Sequence, residues 1–213
     1  MEKFIELRGV AAPLAVPNIN TDVLIRIERL NELPKDQLGP YCFEAWRYDA
    51  KGAELPDFVL NKPPYRQAAI LITGANFGCG SSREAAVWAL RNMGFRCIVA
   101  PSFGDIFFGN CFQNGVLPIV LPADVVDSLR QEAESAQGQQ FVVDLNTRTL
   151  TTPSKRQIKF PIDASRRLSL MQGLDELSMT LRRGEEIAAF QQRDRQRRPW
   201  IYDTVNPRPG MKL

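Results

Sequence analysis

The sequence has no histidine in its 213 residues. That removes the usual general base of a Ser–His–Asp or Cys–His arrangement, and the commonest metal ligand. Cysteine is scarce too: four stand at positions 42, 79, 97 and 111, none in CxxC spacing. With no histidine to complete a ligand set, a metal site built by this chain alone is not expected, and free thiols are. No apolar run reaches the roughly 18 residues a membrane span needs. The opening MEKFIELRGV is charged too early for a secretory h-region, so the expected compartment is the cytoplasm. A strong excess of one charge is also missing, since 27 basic residues face 24 acidic ones for a net of +3. Residues 182–213 alone carry +4, which leaves the rest at −1. The basic run QRDRQRR at 192–198 has no aromatic platform or nucleic-acid motif beside it, so it reads as a solvated helix end. The expected organisation is one domain over 1–190 and a basic, proline-containing tail over 191–213.

The chain is long enough for a self-sufficient core. A strand is expected from Lys3 to Leu14, stopped by Pro13 and Pro17, before the polar, turn-like NINTD at Asn18–Asp22. VLIRIERL suits helix or strand. Residues 31–66 read as a long surface excursion packed by its own aromatics, Trp46, Tyr48 and Phe58. QAAILIT at Gln67–Thr73, FRCIVA at Phe95–Ala100 and VLPIVLP have the continuous apolar character of strands buried on both faces. Between and after them lie three helices: REAAVWALRNM capped by Gly94, Ser102–Gln113, and ADVVDSLRQEAESA. Alternation of strand and helix implies a parallel α/β layer. FVVDLNTRTLTT and RQIKFPID suggest a β-hairpin, and a helical stretch in two pieces divides near Gly173 before the tail.

Behind the first buried strand stands NFGCGSSRE, Asn76–Glu84. The carboxyl edge of such a strand is where α/β folds bind ligands. Gly78 and Gly80 permit unusual dihedrals and close approach. A helix starting near Ser82 would aim its free N–H groups at the same place, and Arg83 offers a planar fork for a carboxylate. The plainer alternative has Ser82 as an N-cap and Arg83 solvated in the first turn. The phosphate loop GxxxxGK[ST] is absent, GxGxxG fails at Arg83, and GxSxG is absent, so a small carboxylate fits better than a nucleotide.

GCGSSREAAVWALRNMGFRCIVAPSFGDIFFGNCFQNGVLP resembles the swivelling domain of the aconitase superfamily, and in particular its 3-isopropylmalate dehydratase small-subunit family. NINTD, FEAWRY…PDFVLN and IDASRRLSLMQGLDELSMTL resemble further segments of that family in the same order, over about residues 3–190. The basic tail has no counterpart in the resemblance. The resemblance implies an α/β fold of the swivelling β/β/α type, with parallel strands, a β-hairpin and C-terminal helices. It implies a large-subunit partner, in a heterodimer or heterotetramer, that holds a 4Fe–4S cluster, with no cofactor bound by this chain. The implied reaction interconverts 2- and 3-isopropylmalate by dehydration and rehydration in leucine biosynthesis. Ser81 would be the base, Arg83 the carboxylate clamp and Asp22 a further catalytic residue. Ser82, Gly80 and Thr21 would bind substrate. Residues 33–47 would shape the alkyl pocket, Cys79 would be a small buried residue, and Asp163, Arg166 and Arg167 a salt-bridged corner. Ala85 stands where the family usually has histidine. A related hydro-lyase for citraconate or methylmalate, and a non-catalytic anion- or RNA-binding module, are the competing readings.

Overall fold

The computed structural model describes residues 1–80 and 83–202. They form two compact units, Met1–Asp175 and a second from Glu176 onward.

In the first unit, β1 (Glu6–Leu14) leads into two short helices, α1 (Thr21–Leu24) and α2 (Ile27–Glu32). VLIRIERL is therefore helical but broken at Ile25–Arg26, where the backbone is extended. The excursion that follows holds α3 (Glu44–Arg47) and four single 3-10 turns. Of its expected aromatics, Trp46 and Phe58 pack it, together with Phe43, the three rings lying within 6.1 Å of one another, whereas Tyr48 instead lies against Arg47. Next come β2 (Ile70–Thr73), α4 (Glu84–Met93), β3 (Cys97–Ala100), α5 (Asp105–Gln113), β4 (Leu117–Val120) and α6 (Ala123–Ser135). The unit ends with β5 (Gln140–Asp144), β6 (Thr149–Thr151), β7 (Gln157–Lys159) and α7 (Ala164–Gln172). The expected hairpin is thus a three-stranded antiparallel meander.

The seven strands make one mixed sheet in the order β4-β3-β2-β1-β5-β6-β7. β1 to β4 are parallel, and β1 pairs antiparallel with β5 on its other edge. Successive side chains alternate faces, so two cores form. Leu71, Ile98 and Ala100 face α4 and the excursion, beside Ala86, Ala89, Leu90 and Phe43. Ile70, Ile72, Cys97 and Val99 point the other way, onto Val126, Leu129 and Ala133 of α6. That two-sided burial is why these strands are continuous apolar runs.

The second unit comprises α8 (Glu176–Leu181), α9 (Gly184–Arg197) and α10 (Pro199–Tyr202). The stretch after Gly173 is therefore in three helical pieces, and the expected tail begins inside α9, at Gln191, and runs on into the single turn of α10. Asp194 accepts hydrogen bonds from Arg198 Nε (2.7 Å) and Tyr202 Oη (3.0 Å), which ties the basic run to that turn. Among the described residues, no helix is long and apolar enough to cross a membrane.

Candidate active site

The carboxyl ends of β1, β2 and β3 continue into three loops that are stitched edge to edge. Asn18 N donates to Ala75 O (2.8 Å), Gly78 N to Ile19 O (2.7 Å) and Thr21 N to Cys79 O (3.0 Å). On the other side Phe77 N donates to Ser102 O (3.1 Å) and Gly104 N to Phe77 O (2.9 Å). Asn18 and Asn76 both take left-handed backbone, φ 56° and 59°, a conformation asparagine tolerates better than most residues. Their side chains meet, Asn76 Nδ2 donating to Asn18 Oδ1 at 2.8 Å. NINTD and NFGCG are thus two halves of one built turn.

Glycine is demanded at Gly78 twice over. Its φ is +72°, and a Cβ there would lie 2.2 Å from Cγ of Phe107. Gly104 packs its own backbone against Gly78 O, where a Cβ would sit 2.7 Å away.

Over this floor opens a cleft of about 360 Å³, lined by Thr21, Asn76, Gly78, Cys79, Gly80 and Arg83, and by the start of α5, Gly104–Phe107. Arg83 takes the N-cap position of α4 with extended backbone (φ −122°, ψ 106°), and its own side chain makes no capping hydrogen bond there. The helix thus begins at Glu84, two residues later than the sequence suggested. Nor is Arg83 a solvated first-turn side chain: it is 21% exposed, and its Nη1 donates to Asp22 Oδ1. Asp22, in the first turn of α1, is exposed. Asn20 caps that turn, accepting from Val23 N at 2.9 Å.

Of the site residues expected from sequence, Arg83, Gly80 and Thr21 line the cleft, and Asp22 joins it through Arg83. Ser81 and Ser82 lie outside the described residues. Thr21 is buried, with its main chain bonded to Cys79. Cys79 is half-buried rather than buried, and faces the cleft. The start of α5 was missed; its sequence signal is the glycine of SFGD. Asn76 likewise had no role assigned to it. Ala85 is 6% exposed and belongs to the core behind the turn.

Asp163, Arg166 and Arg167 do form a structural corner, but not by salt bridges. Asp163 caps α7, accepting from Ser165 N and Arg166 N. The Ser165 hydroxyl and these amides hold its carboxyl below the usual range. Arg166 lies over the Phe108 and Phe112 rings, and Arg167 Nε donates to Leu145 O at 2.8 Å. Beside residues 33–47 is a hollow of about 700 Å³, walled in part by Arg26, Arg29, Tyr41 and Glu44. Arg29 is bonded to Glu44, so that wall is charged rather than apolar.

Three of the four thiols do not suit an iron–sulfur cluster. Cys42, Cys97 and Cys111 are buried, and burial pushes each thiol up, away from the thiolate a metal needs. Among the described residues, no group of three potential ligands converges.

A glycine-floored, cation-bearing cleft thus lies at the carboxyl edge of the parallel strands, and comparison with known proteins names the class of the chain. The family model "Aconitase C-terminal domain" matches residues 1–124. LeuD_N matches 127–164, and the model for the C-terminal domain of the 3-isopropylmalate dehydratase small subunit matches 178–204. The last match places much of the basic segment within the family, against the expectation that it has no counterpart. A curated 3-isopropylmalate dehydratase small subunit from Parvibaculum lavamentivorans is 49% identical, over 94% of this chain and 100% of its own length. The one from Paramagnetospirillum magneticum is 48% identical over the same shares. The crystal structure of 3-isopropylmalate dehydratase (leuD) from Methanocaldococcus jannaschii superposes with a TM-score of 0.61. It covers 88% of this chain and 99% of its own at 23% identity, and so attests the fold. The chain belongs to the 3-isopropylmalate dehydratase small-subunit family.

Proposed function

We propose that the chain is the small subunit of a 3-isopropylmalate dehydratase, a hydro-lyase active only with its large subunit, in leucine biosynthesis in the cytoplasm. The observation that carries this reading is Arg83, held at the start of α4 beside a glycine turn and paired with Asp22, in a chain 49% identical to a relative so named.

The reaction removes a proton from one carbon and hydroxide from its neighbour, forms a double bond, and returns water in the opposite sense. Arg83 clamps a substrate carboxylate with its fork, and the free N–H groups of α4 add to that pull. Asp22 holds the guanidinium in place until the carboxylate arrives. Ser81 takes the C–H proton, Ser82 supports it, and Gly80 and Thr21 leave room for the substrate. A serine hydroxyl is too weak an acid to act unaided, so it works as an alkoxide stabilised by donors and the nearby cation. A 4Fe–4S cluster held by the large subunit, not by this chain, would supply Lewis acidity toward the substrate hydroxyl. The two chains assemble as a heterodimer or heterotetramer.

The test is anaerobic reconstitution with the large subunit, following the unsaturated intermediate by ultraviolet absorbance from 3-isopropylmalate, citraconate and citrate. Turnover of isopropylmalate that disappears in Ser81→Ala is the expected result. Turnover of citraconate alone would move the substrate. No turnover of any of the three would refute the enzymatic reading.

A further inference from the structure

Glu84, next to Arg83, does not do what an acidic first-turn residue usually does. Such a carboxylate can fold back onto the open N–H groups of its own helix. Here the N-cap residue Arg83 makes no side-chain cap bond, and Glu84 Oε1 instead accepts from Asn114 Nδ2 at 2.8 Å. Asn114, at the C-cap of α5, is 5% exposed. Its Nδ2 also donates to Asn110 O (2.9 Å), and its Oδ1 accepts from Trp88 Nε1 at 3.0 Å. Both polar atoms of one buried amide are thereby used, joining the first turn and second turn of α4 to the last turn of α5. Lys35 Nζ lies 4.1 Å from the Trp88 ring centroid and covers the indole.

The placement matters because both helices deliver their N-termini to one cleft. α4 brings Arg83, and α5 brings Gly104–Phe107. A tie at Glu84 fixes the rotation of α4 about its axis one residue from Arg83, and removes the carboxylate that would compete with a substrate anion. We propose that Glu84 and Asn114 are positioning residues for the carboxylate site: a latch that aims Arg83 and holds the Glu84 carboxylate away from the helix N–H groups. This rests on the dehydratase reading for its reaction, and on the geometry of the latch for its existence.

The experiment uses the reconstituted complex with Glu84→Ala and Glu84→Gln. An amide at 84 still offers an oxygen to Asn114; alanine offers nothing. Misplacement by about an ångström costs on the order of 100-fold, so Glu84→Ala should lower kcat/KM by roughly 10- to 100-fold, chiefly by raising KM. Glu84→Gln should restore it to within about threefold. A tie that served folding alone would lower Tm and leave kcat and KM of the folded complex at wild-type values. That result, or Glu84→Gln as defective as Glu84→Ala, would overturn the proposal. The Trp88 indole N–H resonance of the chain is read in parallel, because it needs no activity. It should shift in Glu84→Ala and return in Glu84→Gln; no shift would overturn the latch. If the wild-type complex leaves 3-isopropylmalate untouched, the dehydratase reading fails. The latch is then judged on the indole resonance and on whichever 2-hydroxy acid the wild type does dehydrate.

Discussion

Replacing Gly78 with alanine tests the floor of the cleft, because two separable costs meet there. The first is backbone: φ is +72°, and an L-residue in that region costs roughly 1–2 kcal/mol. The second is space, since the new Cβ would lie 2.2 Å from Phe107 Cγ. Phe107 cannot easily retreat. It is buried, its ring centroid is 5.4 Å from that of Phe77, and Phe103 stacks against it at 6.4 Å and 8°. Overpacking of this kind costs about 1–3 kcal/mol. Together that is roughly 2–5 kcal/mol, or a fall in Tm of about 5–20 °C for a chain of this size. Two other glycines separate the costs. Gly52 has φ +81° with nothing within 4 Å of its Cβ position, so Gly52→Ala should show the backbone cost alone. Gly109, inside α5, has neither positive φ nor a neighbour within 4 Å, so Gly109→Ala should stabilise by about 0.5–1 kcal/mol. Scanning calorimetry of the four proteins gives the comparison. If Gly78→Ala loses no more than Gly52→Ala, the close packing of Phe107 beneath the turn is wrong.

Thiol labelling should find Cys79 first. It is half-buried at the cleft, whereas Cys42, Cys97 and Cys111 are enclosed and should react only on unfolding; early modification of any of those three, read by mass spectrometry, would contradict their burial. Acid should loosen the excursion through Glu54, whose carboxyl is held below its usual range by hydrogen bonds from Arg66. The folded value is the lower one, so this contribution is present above about pH 4.3 and is lost as pH falls through the lowered value. Glu54→Gln should flatten that part of the acid-unfolding curve, and an unchanged curve would rule the pair out.

How much of this was legible in the sequence depended on how local the cause is. QAAILIT, FRCIVA and VLPIVLP announced themselves because burial on both faces leaves no polar position in the run. Gly94 marked the end of α4 correctly, since it takes φ +115° there. Starts were harder. α5 begins at Asp105 rather than Ser102, because Ser102 and Gly104 are taken up in pairing with Phe77. β1 begins at Glu6, where its partnership with Asp144 begins, and nothing within residues 3–14 marks that point. β6 was not separated from β5: FVVDLNTRTLTT reads as one arm of a hairpin, although β5 ends at Asp144 and β6, only three residues long, starts at Thr149. In the site, the glycine-serine turn and Arg83 were visible because glycine and arginine have few reasons to stand together. The Asp22–Arg83 pair spans 61 positions and the Glu84–Asn114 bond 30, and no local pattern encodes either.

The central place of β1 has a consequence for the order in which the chain can be completed. β1 is made first, yet Glu6–Val10 are paired by Gln140–Asp144. At roughly 5–20 residues per second of synthesis, the gap between the end of β2 at Thr73 and the arrival of Asp144 lasts several seconds. Throughout that interval the nascent parallel half presents an open edge, the kind that recruits a foreign strand. Slow translation through residues 74–139 would lengthen the exposure, and a holdase stationed at the ribosome exit would find its target in Glu6–Val10.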